Sequence, residues 1–273
     1  MFEWILVSVA IFFLTVAGLV DLKTREVPDY ISYSFIAIAL ALRVAWFVFN
    51  QNIMIIAMVP IAFIFLVGMS YLLYLTGQWG GGDVKVMMGA SIALAWFSPE
   101  GFPFFVDFVM NLLIVGAVYG LLFTMIIGLK NFKKFKKKLS VYDLLVIPGV
   151  VGLVFVSGLL PGSMKILAIL LGLLVFSIRY VRIIEKDLME LKVPIKNLTE
   201  GDWLVSNIRY KNKTIIKKNN IGLTQSDLKK LKKFKNKIKK VKIKIGVPFV
   251  PAFLLTLITT LLFGNLLIYF IVF

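Results

Sequence analysis

Gly80-Gly81-Gly82-Asp83-Val84-Lys85 stands between two apolar stretches, each a candidate to cross a bilayer. An ionisable carboxyl on a bare glycine hinge is expensive where the chain enters a membrane, and such groups are usually functional. Glycines leave the backbone without side-chain cover and permit φ > 0, which a site needs if an extended peptide must approach closely. Asp83 also suits the N-cap of the helix that follows, with the glycines as a turn, and the two readings are compatible.

Outward from this stretch the chain is strongly apolar. Its 273 residues are 60% hydrophobic, with a mean hydropathy of +0.92, well above the composition of a soluble domain. At about 20 apolar residues per crossing, eight candidate spans can be read: Phe2 to Val20, Tyr30 to Phe49, Ile53 to Leu75, a shorter Val84 to Phe97, Phe104 to Leu129, Tyr142 to Leu160, Ile166 to Ile178 and Val247 to Phe273. Pro148 and Pro161 make the sixth and seventh a candidate re-entrant or tilted hairpin. The expected fold is therefore an all-α polytopic membrane protein of six to eight transmembrane helices. Glu3 stands where a secretory signal would be basic, so the first span is expected to be retained.

The net charge of +17 is concentrated in Lys130 to Lys138 and in the stretch from Lys186 to Lys244. Membrane spans flank both, so orientation and anionic lipid account for the charge better than nucleic acid does. With the basic segments in the cytoplasm, threading the spans puts Asp21, at the end of the first, on the same face as Asp83. Residues 186 to 244 hold 18 Lys or Arg against 5 Asp or Glu, a balance of +13. Trp203-Leu204-Val205 and Thr214-Ile215-Ile216 read as short strands, and Thr224 as the cap of a helix carrying Leu228, Leu231 and Phe234 on one side. The expected division is a transmembrane catalytic domain over 1–183, a basic cytoplasmic α+β subdomain over 184–245 and a terminal transmembrane helix over 246–273. A solvated charged linker is the alternative for the middle part.

Neither Cys nor His occurs, which removes the thiol nucleophile, the imidazole base and the usual zinc ligands. No metal or other cofactor is expected. Two carboxyls on one face can instead act as an acid–base pair, one ionised to take a proton from water and one protonated to polarise a carbonyl. Asp21 and Asp83 are the candidate catalytic pair. Asp21 lies at the negative end of its own helix, so no local electrostatics favour it there; the alternative is an interfacial acid paired with Lys23 or Arg25. Glu26 and Asp29 share the turn after Asp21, where they could attract a basic peptide, and Asp29 is a candidate N-cap. Lys85 could act on Asp83 or on a substrate carbonyl. Arg43 is expected to snorkel to the headgroups, Asp107 to lie on the outer side, and Asp143 to cap the sixth span.

Asp21-Leu-Lys-Thr-Arg-Glu-Val-Pro-Asp, followed 59 residues later by Gly80-Gly-Gly-Asp-Val-Lys, resembles the two signature segments of the type IV prepilin peptidases and archaeal preflagellin peptidases, the GxGD intramembrane aspartic proteases. Gly80, Gly82 and Asp83 match the GxGD element, and Asp21 the first catalytic Asp. Pro248-Phe249-Val250-Pro251 resembles the family's proline-containing motif. The resemblance implies an aspartyl endopeptidase of the cell membrane that cuts the short basic leader from pilin-like or archaellin-like precursors at the cytoplasmic face. By the same resemblance Gly80, Gly82, Glu26, Asp29 and Lys85 become candidate substrate-binding residues. The cysteine-containing domain of the bifunctional bacterial members has no counterpart here, which implies the archaeal branch and no methyl transfer. A carboxylate-dependent transporter would place its acids near the midplane of inverted repeats, and a membrane-anchored basic scaffold would work through residues 186 to 244. The sequence leaves oligomeric state open.

Overall fold

The computed structural model describes residues 2–96, 102–138, 180–186, 188–211, 213–234 and 237–266, with a few single positions besides. The sixth and seventh expected spans, and Asp143, lie outside them. Among the described residues four helices are long and apolar enough to cross a membrane: α1 (Phe2–Thr24), α2 (Asp29–Asn50), α3 (Ile53–Leu75) and α5 (Phe104–Lys130). Trp4, Phe12, Leu19, Tyr30, Ile64 and Leu122 are among the large apolar side chains that stay exposed along them. So much exposed apolar surface is an aggregation hazard in water and the ordinary state in lipid. The chain is a multi-pass membrane protein.

Two further apolar helices among the described residues are short. α4 (Gly81–Ala93) has 13 residues, roughly 20 Å of helix, and cannot cross a bilayer alone. It is buried on nearly all sides, packed against α1, α2 and α3. Its small residues allow this: a Cβ on Gly89 would collide with the Phe35 ring of α2, which stacks in turn on Phe13 of α1 at 5.1 Å between centroids. The terminal helix, numbered α8 here (Val250–Phe263), has 14 residues, breaks at Gly264 with φ +64°, and packs between α1 and α5.

A helix that ends inside an apolar body leaves carbonyls without partners. Each short helix has that need met by a polar side chain from a long one. Arg43 of α2 is 1% exposed and donates from Nε to the Ile92 carbonyl at 2.9 Å and from Nη2 to the Ala93 carbonyl at 3.1 Å, closing α4. The expectation that Arg43 snorkels is therefore corrected. Its position, about 21 Å along α2 from Asp29, matches the depth at which α4 stops. Asn111 of α5 serves α8: its amide donates to Thr260 Oγ1 at 2.9 Å and to the Gly264 carbonyl at 2.7 Å, and its Oδ1 accepts from Leu266 N at 2.8 Å. Asp107, one turn earlier, accepts from Asn265 at 2.9 Å.

Beyond the short basic α6 (Phe132–Lys138), residues 190–244 form a small subdomain that contains strands. β1 (Glu190–Pro194), β5 (Lys240–Lys244) and β2 (Trp203–Leu204) make an antiparallel sheet with β5 central, and β3 (Ile208–Tyr210) pairs with β4 (Lys213–Ile216). α7 (Gln225–Lys232) begins at Thr224, whose hydroxyl accepts from Asp227 N at 3.2 Å, as the capping pattern predicts. Leu231 is fully buried beside Leu204, Leu223, Val241 and Ile243. This core rules out the linker alternative for residues 190–244. Every second residue of Lys-Val-Lys-Ile-Lys turns its apolar side chain inward, which is how a lysine-rich segment becomes the middle strand.

Candidate active site

Asp21 sits in the last turn of α1, which Arg25 closes in a left-handed conformation with its N–H on the Asp21 carbonyl at 2.7 Å. Pro28 then starts α2, so Asp29 is the first helical residue and not its cap. Asp21 is 5% exposed, and its Oδ2 accepts from the Val250 backbone N–H at 3.1 Å. That N–H belongs to the first turn of α8, with the Phe249 N–H beside it. The acid that is misplaced against its own helix thus lies at the positive end of another.

Asp83 is 9% exposed and occupies the third position of α4, not its cap. Its Oδ2 reaches back to the Gly80 N–H at 2.8 Å, the reciprocal half of a capping box. Gly80 is extended at φ −83°, while Gly81 and Gly82 are already helical. None of the three has positive φ; that conformation falls to Gly77, at +72°. The glycine run therefore serves close approach. A Cβ on Gly82 would touch the Val27 side chain and backbone at 3.5 Å, which places the Asp21 turn directly against the Asp83 turn. Asp21 and Asp83 meet at one end of the bundle, close enough for the Asp21 charge to act on Asp83.

The neighbouring candidates have defined contacts. Lys85 forms an ion pair with Asp29 and lies over the Tyr33 ring at 5.8 Å, so it ties α4 to α2 and does not pair with Asp83. Glu26 is exposed and accepts from Thr199 Oγ1 of the subdomain at 3.0 Å. The same loop holds Asp202. Burial pushes the Asp202 carboxyl up from its ordinary range and the Glu26 charge adds to this, while the Thr199 N–H opposes both at 2.8 Å. On the other side, Asn220 abuts Gly77 at the end of α3. The subdomain thus rests on both turns that carry the acids. Among the described residues no three metal-binding side chains gather where they could share an ion.

Reading the sequence missed an aromatic wall beside the acids. Trp79, immediately before the glycines, packs on Phe249 at 5.4 Å and on Phe253 at 5.0 Å, and Tyr119 of α5 meets Phe249 edge-on at 6.3 Å. Phe249 lay within the proline-containing motif already singled out. Nothing in the local pattern distinguishes Trp79 or Tyr119 from other aromatic residues of an apolar segment.

Residues 8–129 match the family model of the type IV leader peptidase family. The match takes in α2 to α4 whole, α1 from its second turn onward and all but the last residue of α5, and so both acids and both turns; the subdomain and α8 lie beyond it. Searches of curated proteins and of solved structures gave no match. The match over residues 8–129, with their paired turns around Asp21 and Asp83, supports membership of the type IV leader peptidase family.

Proposed function

We propose that the protein is an aspartyl endopeptidase that removes a short basic leader from pilin-like or archaellin-like precursors at the cytoplasmic membrane face, with Asp21 and Asp83 as its acid–base pair. One observation supports the reading: two buried carboxyls from different helices lie at one bundle end, each with an oxygen that accepts from a backbone N–H. The second oxygen of each then serves the reaction. One carboxylate takes a proton from water as it attacks the scissile carbonyl, and the protonated partner donates to the carbonyl oxygen. The two share one proton and titrate together.

Substrate reaches them extended, because a helix hides its carbonyls, and the bare backbone at Gly80 and Gly82 leaves room beside Asp83. Glu26 is the acid best able to meet the basic leader; Asp29, already paired with Lys85, could do so only by exchange. The division into 1–183, 184–245 and 246–273 assigns the membrane body to the first and last parts. The basic segments, Lys130 to Lys138 among them, face anionic lipid on the cytoplasmic side.

The reading is tested by incubating purified membranes with a leader-bearing precursor and sequencing the new amino terminus. A single cut just after the basic leader is expected, and an intact precursor counts against the activity. Topology has its own check: reporters fused after Thr24 and after Lys85 should both read as cytoplasmic, and a split result removes the shared face.

A further inference from the structure

The Val250 N–H that holds Asp21 belongs to a segment poorly equipped to hold itself. Pro248 and Pro251 carry no N–H, residues 245–249 form no regular structure, and Ala252 N donates to the Phe249 carbonyl at 2.9 Å. The support comes from α5. Tyr119 donates its hydroxyl to the Pro248 carbonyl at 2.8 Å and packs its ring edge-on against Phe249. Gly116, one turn earlier, admits the tip of that ring, where a Cβ would meet Phe249 Cζ at 2.8 Å. At the far end of the pair, Asn111 fixes the break after α8. α8 is therefore pinned along its axis by α5 at both ends, and the pin nearest the acids is Tyr119, close enough to Asp21 to feel its charge.

We propose that Tyr119 is a positioning residue for the reaction, acting on Asp21 through the Pro248–Val250 backbone. The inference rests on the peptidase reading above. Tyr119 latches Pro248, the latched turn aims the Val250 N–H, and that N–H fixes Asp21 Oδ2 so that Oδ1 is presented to water at a constant angle. Loss of the latch misplaces a reacting oxygen without altering where substrate binds.

Tyr119→Phe keeps the ring and removes the hydroxyl. In a purified-enzyme assay on a leader-bearing precursor, kcat should fall roughly tenfold with KM unchanged, because small misplacements at the reacting centre are costly. Hydrogen exchange of the 246–254 peptide, followed by mass spectrometry, should become faster in the same variant. Gly116→Ala displaces Phe249 from the other side and should give the same pattern. A kcat within about twofold of the parent enzyme, or a change in KM alone, overturns the proposal. If the parent enzyme leaves every such precursor uncut, the peptidase reading falls, and unchanged exchange in Tyr119→Phe overturns the latch by itself.

Discussion

Asp83→Asn and Asp21→Asn are each expected to reduce precursor cleavage by about 10²- to 10⁴-fold, the span usually lost with a positioned acid or base, while the protein inserts and folds as before. The substitution is informative because of what it preserves. An Asn oxygen can still accept the Gly80 N–H at position 83, or the Val250 N–H at position 21, so the backbone bonds that order each turn survive. Only the capacity to take up and release a proton at neutral pH is lost. Cleavage rate and thermal midpoint, measured on the same purified samples, separate chemistry from folding. Near-normal processing by either variant would end the two-carboxyl mechanism.

The second large effect is expected at Arg43. Replacing a buried charge by a hydrophobic residue is often neutral when the partner is removed too, but here the partners are backbone carbonyls that cannot be removed. Arg43→Met leaves the Ile92 and Ala93 carbonyls without donors in an apolar setting, at about 1–3 kcal/mol for each orphaned group. α4 then loses its anchor, and with it the fixed depth of Asp83. A loss of stability on the order of 2–6 kcal/mol is expected, together with slower cleavage by the fraction that remains folded. Arg43→Lys should recover part of both, since an ammonium can reach one carbonyl but lacks the planar fork that serves two. The measurement is thermal unfolding in detergent, followed by activity per folded molecule. A Met variant as stable as the parent would show that water or backbone adjustment meets the need instead.

Much of this arrangement is legible in one dimension. The apolar runs mark α1, α2, α3 and α5 because a crossing helix must be long and uniformly apolar. Asp21, Asp83 and the glycine run stand out for the opposite reason: polar groups at the edge of such runs are costly and therefore few. In the subdomain, the period-two alternation and the Thr224 cap forecast β2, β4 and α7. β5 shows the same alternation, yet the excess of lysine conceals it from a reading based on charge. The glycines are conspicuous in sequence, but the positive φ sits at Gly77 and the close contact at Gly82.

What the sequence determined by itself is the membrane class, the four long helices among the described residues and the choice of the two candidate acids, because each follows from composition or spacing along the chain. The tertiary structure alone decided that α8 supplies the N–H for Asp21, that Arg43 is spent on the end of α4, and that Tyr119 braces the turn before α8. These contacts join residues 229, 49 to 50 and 129 positions apart. No local pattern encodes them, since the need of a backbone group stranded at the end of a helix can be met by any suitable side chain or helix end that packing brings there.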